Sequence, residues 1–127
     1  IQGYGLKSGA VATSVAHDSH NIICVGTNDE DMAFAVNRIA RNRGGIVVVE
    51  NGQVLAELPL EIAGIISGKP LREVNTLLED AKKAAHTLGV GTDIDPFMTL
   101  SFMSLPVIPT LRLTTRGVVD VNTQQYV

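Results

Sequence analysis

The sequence contains no tryptophan, three phenylalanines, two tyrosines and one cysteine, Cys24. With aromatic residues at 4%, a core must rest on Val, Ile, Leu, Ala and Met rather than on large rings. A lone cysteine excludes an internal disulfide and favours a reducing, cytoplasmic setting. Basic residues are in deficit: ten Lys and Arg stand against 13 Asp and Glu, a formal charge of −3. That leaves no electrostatic footprint for nucleic acid. The one basic cluster, Arg38, Arg41 and Arg43, falls at a helix end, where cations complement the dipole. No apolar run approaches the roughly 20 residues that span a bilayer, so no membrane partner is expected. No signal-peptide pattern opens the chain. It starts at Ile1 rather than Met, as a processed or excised chain would. A length of 127 residues suits one domain, 1–127.

What is present falls into recognisable elements. Residues 9–16 (GAVATSVA) have the small and β-branched content of a strand. Residues 22–26 (IICVG) read as a short, fully buried strand. Thr27-Asn28-Asp29-Glu30 forms a capping box, and Asp29, Glu30 and Asp31 put negative charge on the positive end of a helix over 29–43. Met32, Ala35, Val36, Ile39 and Ala40 form its core stripe, with Gly44 as the stop. Residues 46–50 and 53–57 flank Asn51-Gly52, the signal for a hairpin with a type I′ turn, and Pro59 ends its second strand. Pro70 at a first helical position opens a second helix with a stripe at Leu71, Val74, Leu78, Ala81, Ala85 and Leu88, closed by Gly89. Residues 97–109 are apolar on both alternating faces, which fits either a buried strand or a short helix. A last hairpin is expected around Thr115-Arg116-Gly117. The order β-β-α-β-β-α-β-β predicts an α+β fold with a mixed or antiparallel sheet and two main helices packed on it.

Titratable and hydrogen-bonding groups crowd together only at His17-Asp18-Ser19-His20-Asn21. A metal site there needs a third and fourth ligand, and His86 lies far off in the last turn of the second helix. A Ser-His-Asp site needs partners that aim at one another, which adjacent residues rarely do, and no nucleophile elbow is present. Polar recognition of a heterocycle edge suits His, Asp and Asn, which offer both donors and acceptors. The competing structural reading is a polar turn whose Asp18 and Ser19 bond their own backbone. The glycine clusters form neither a dinucleotide fingerprint nor a phosphate-binding loop. Cys24, within an apolar strand, reads as an inert core thiol.

Four strings go further: GYGLKSGA (3–10), SVAHDSHNIICVGTNDEDMAFAVNRI (14–39), GGIVVVENGQVLAELPLEIAGIIS (44–67) and DPFMTLSFMSLPVIPTLRLTTRGVVDV (95–121). Together they resemble the C-terminal domain of the adenine deaminases, a family of the amidohydrolase superfamily. The resemblance covers nearly all of the chain, and only the helix near 70–90 is generic. Glu61 stands where the family pattern has proline. The resemblance implies a parent enzyme that converts adenine and water to hypoxanthine and ammonia. It implies a divalent metal, manganese, iron or zinc, held in an N-terminal barrel that begins with a His-x-His pair. No such pair occurs here, and 127 residues cannot form a barrel of about 250. No catalytic residue or metal ligand therefore carries over, and the chain alone is expected to be inactive and free of cofactor. The expected partners are the catalytic barrel of the same parent chain and its adenine, with a homo-oligomer also compatible. The expected role is to cover the barrel mouth, with His17, Asp18, Ser19, His20 and Asn21 as substrate-binding residues, or else to buttress the barrel. The alternative from another class is a free-standing small-molecule binding or oligomerisation module. A third is a stand-alone hydrolase that uses His17, Asp18 and His20 with a metal.

Overall fold

The valines of β3 (Gly45–Glu50) lie inside a sheet covered on both faces, which is why that strand lacks the polar alternation of a half-solvated one. A computed structural model describes residues 1–127. Around β3 are β1 (Ala10–Thr13), β2 (Ile23–Gly26) and β4 (Gln53–Pro59), in the spatial order β2-β1-β3-β4 with every pair antiparallel. On one face Ala10, Ala12, Val47 and Val49 pack against Ala35 and Ile39 of α1 (Asp29–Arg41). On the other, Val11, Ile46, Val48 and Leu58 meet α2 (Leu71–Thr87) and the short α3 (Pro96–Ser101) through Ala81, Ala85, Leu88, Phe97 and Leu100. A second antiparallel sheet joins β5 (Leu111–Thr114), β6 (Gly117–Asp120) and β7 (Gln125–Tyr126). The α+β class is thus as expected, with two separate antiparallel sheets and a third, short helix.

Several local expectations shift. The cap of α1 is Asn28, not Thr27: Asn28 is extended, and its Oδ1 accepts from Asp31 N at 2.8 Å. Thr27 Oγ1 donates to Gly9 O at 3.3 Å instead. Asp31 is buried rather than solvated, at 3% exposure. Its carboxylate accepts from Asn51 N at 3.1 Å and Gly52 N at 2.8 Å, tying the start of α1 to the β3–β4 turn. The Asn28 side chain, followed by these turn amides, holds Asp31 below the ordinary carboxylate range. The turn itself is as expected, with φ of +52° at Asn51 and +70° at Gly52. The left-handed residue after α1 is Arg43, at φ +60°, rather than Gly44. A side chain at Gly44 would meet Gly64 Cα at 2.3 Å, so close backbone approach is what requires glycine there. Arg38 does more than face a dipole: it makes a two-pronged pair with Glu57 of β4 at 2.8 and 2.7 Å. Val36 is half-buried and Ala40 exposed, so the stripe of α1 narrows to Met32, Ala35 and Ile39.

Pro70 occupies the cap of α2 rather than its first turn, and Leu71 is 85% exposed, so the stripe effectively begins at Val74. The apolar stretch resolves as helix because Asp95 Oδ1 accepts from Phe97 N at 3.0 Å and Met98 N at 2.9 Å. β2 is an edge strand and only half-buried, contrary to the full burial expected from its apolar run. Glu61 accepts from Gly68 N at 3.0 Å and closes the 61–68 loop.

Candidate functional site

The chain leaves β1 at Thr13 through a fixed anchor. Ser14 Oγ accepts from Gly45 N at 2.7 Å and donates to Gly64 O at 2.6 Å, which holds the exit against β3 and the 61–68 loop. Beyond it His17 N donates to Ser101 O at 2.9 Å, so the end of α3 carries the next segment. The His17 ring stacks on Phe102, with centroids 4.8 Å apart and planes 17° from parallel. His20 N donates to Ala16 O at 3.1 Å, closing a five-residue turn that ends in the left-handed region, φ +47° at His20.

The five candidate residues therefore share one turn but not one role. Ser19 Oγ donates to Asn21 Oδ1 at 2.9 Å and lies 3.2 Å from Ser104 Oγ. Ser104 Oγ is in turn 3.4 Å from Asn21 Oδ1. Ser19 and Asn21 are thus committed to holding the turn on the segment after α3. His17 is committed to Phe102. Asp18 and His20 are exposed, and their side chains make no hydrogen bond or ion pair within the chain. Ser19 does not bond a histidine, so the arrangement does not activate a nucleophile. Nor does the donor set fit a metal centre, since no three His, Cys, Asp or Glu side chains come together. What the turn can do is present a carboxylate and an imidazole, on a backbone fixed by three elements, to something outside the domain.

Phe102 and Ser104 are the site residues that sequence reasoning missed. Neither carries a local signal, because their partners lie about 85 positions away. The platform beneath them is rigid. Tyr4 Oη donates to Pro96 O at 3.0 Å, and burial, followed by the Asp95 charge, pushes its hydroxyl pKa up. Burial also raises Asp95, but the Met98 and Phe97 amides and Lys82, at 3.1 Å, outweigh it and hold the carboxyl below its usual range. Beside Asn21 opens a cavity of about 240 Å³, lined by Ile23, Cys24, Met103 and Leu113. Burial pushes the Cys24 thiol up to about 11, so it stays protonated at neutral pH. Cys24 is half-buried: it packs against the core between the sheet and α1 and also lines this cavity.

The family model described as adenine deaminase C-terminal domain matches residues 1–125. An adenine deaminase of Nitratidesulfovibrio vulgaris strain Hildenborough is 55% identical over 127 residues, 99% of this chain and 22% of that protein. The protein named adenine deaminase 2 in Carboxydothermus hydrogenoformans is 54% identical over 123 residues, covering 97% of this chain and 22% of its own. An adenine deaminase of Geobacillus kaustophilus is 46% identical over 127 residues, all of this chain and 22% of that one. The chain spans about a fifth of the length of these curated relatives. With the match running from the first residue almost to the last, the chain belongs to the adenine deaminase C-terminal domain family.

Proposed function

We propose that residues 1–127 form one domain that closes over the catalytic barrel of a longer adenine deaminase, with the 17–21 turn facing the barrel mouth. The parent would replace the C6 amino group of adenine by oxygen, releasing ammonia. That chemistry belongs to the barrel, where a manganese, iron or zinc ion would activate water. The contribution of this chain is to exclude water and to place polar groups at the rim of an enclosed site. The carrying observation is that Asp18 and His20 are displayed on an anchored turn while their neighbours His17, Ser19 and Asn21 are spent on holding it. Asp18 and His20 are accordingly the contacts to adenine or to the barrel rim, and the other three position them. We assign the parent to purine metabolism in the cytoplasm, on the family's name.

The test is kinetic, in the full-length deaminase. Asp18→Ala or His20→Ala leaves groups unpaired in a closed site, a loss of about 1–3 kcal/mol or about ten- to a hundredfold in kcat/KM. Metal content should stay at the wild-type level. Wild-type kinetics in both variants would make the turn a structural buttress.

A further inference from the structure

The first sheet ends in an open edge, and that edge lies in an apolar groove. Thr27 N donates to Gly9 O at 2.9 Å, which sets the alternation of the β1–β2 ladder. With Val11 opposite Val25 and Thr13 opposite Ile23 in the same phase, the β1-facing backbone groups of β2 belong to Val25 and Ile23. The N–H and C=O groups of Cys24 and Gly26 point the other way, and no strand pairs with them. They face a groove of about 340 Å³ between β2 and the β5–β6 hairpin. One wall is Cys24 and Met32; the other is Leu111, Leu113 and Val118. Leu111 and Leu113 are 53% and 66% exposed, well beyond what a finished apolar surface needs.

We propose that an extended apolar segment from the preceding part of the longer deaminase chain fills this groove as a fifth strand on β2. Three observations select that occupant. The unpaired groups recur at every second residue, the repeat that only another strand satisfies along its length. The lining is almost wholly apolar, Arg112 being the sole charged residue in it, so a solvated or highly charged partner does not match. Ile1 forms part of the same lining, and the relatives are chains of which this one is 22%, so the polypeptide that precedes it in such a protein arrives at this groove. β2 has four residues, so the added strand needs only about as many. This inference rests on family membership and is independent of what the 17–21 turn touches.

Amide hydrogen exchange on the full-length deaminase tests it. A paired edge predicts that the Cys24 and Gly26 amides exchange about a hundredfold or more below their intrinsic rates, as do those of β1. Less protection than that overturns the proposal. Protection that fades on dilution assigns the edge to a second copy and overturns it too. Leu113→Glu, on the exposed wall, should raise exchange at both amides at least about tenfold while α2 amides keep their rates, which shows the domain still folded. Unchanged rates at Cys24 and Gly26 in that variant would remove the hairpin from the binding site and refute the groove. None of these readouts depends on turnover, so a failed lid does not disturb them.

Discussion

The stack of His17 on Phe102 can be measured directly, because it joins the candidate turn to α3 through two side chains that can each be deleted. A near-parallel stack at 4.8 Å is worth about 0.5–1.5 kcal/mol beyond the area it buries. Phe102 is half-buried, so Phe102→Ala also forfeits about 1–2 kcal/mol of transfer energy. The sum is about 1.5–3.5 kcal/mol. A chain of 127 residues unfolds with an entropy of about 0.27 kcal/mol/K, which converts that loss into a fall in Tm of about 6–13 °C. His17 is exposed, so His17→Ala alone should cost little more than the stack, about 1 kcal/mol. The assay is a double-mutant cycle on thermal melting, with His17→Ala, Phe102→Ala and both together. The expected coupling is about 0.5–1.5 kcal/mol, since each single variant already destroys the same contact. Coupling below about 0.3 kcal/mol, the scatter of independent sites, would refute the idea that the stack holds the turn.

Leu100, fully buried where α3 meets the first sheet, should cost about 2–5 kcal/mol as Leu100→Ala and lower Tm by about 7–19 °C; a fall of under about 3 °C in calorimetry would mean that α3 is not part of the cooperative core. The Glu57 carboxyl is held below its ordinary value of 4.5, mainly by the Arg38 hydrogen bonds, with burial opposing and Asn42 assisting. Its contribution to stability is therefore present above that ordinary value and lost as pH falls through the lower, folded one. Melting between about pH 6 and about pH 3 should accordingly decline less in Glu57→Gln than in the wild type, and an equal decline would show that the pair with Arg38 is unimportant to acid stability.

Local chemistry was legible where a residue type leaves the backbone little choice. Asn51-Gly52 demanded a type I′ turn, and the structure has positive φ at both positions. It was ambiguous where two neighbours are equally competent: Thr27 and Asn28 can each cap a helix, and only the tertiary bond from Thr27 to Gly9 takes Thr27 out of contention. The half-burial of β2 was hidden because an apolar run says nothing of strand order, and an edge strand reads like a central one. The helix at α3 shows neither period, because its six residues are too few and Thr99 and Ser101 mark no polar face. The short β7 carried no signal in Gln125-Tyr126. In the candidate site the cluster itself was visible as composition. Its seat was not, since Ser101, Phe102 and Ser104 lie about 85 positions further along the sequence.

That long reach bears on how the protein is made. The turn at 17–21 leaves the ribosome among the first residues of this domain, yet the groups that hold it, from Ser101 to Ser104, come about 85 positions later. Tyr4, whose hydroxyl bonds Pro96 from 92 positions away, waits in the same way. The β3–β4 hairpin closes on neighbours in sequence and can form early; the turn cannot, because its loop must be closed against the entropy of most of the domain. Until the α3 segment docks, the Ser101, Phe102 and Ser104 contacts that fix Asp18 and His20 in the turn are missing. The turn therefore takes its fixed shape only once residues 101–104 have been made, long after its own five residues.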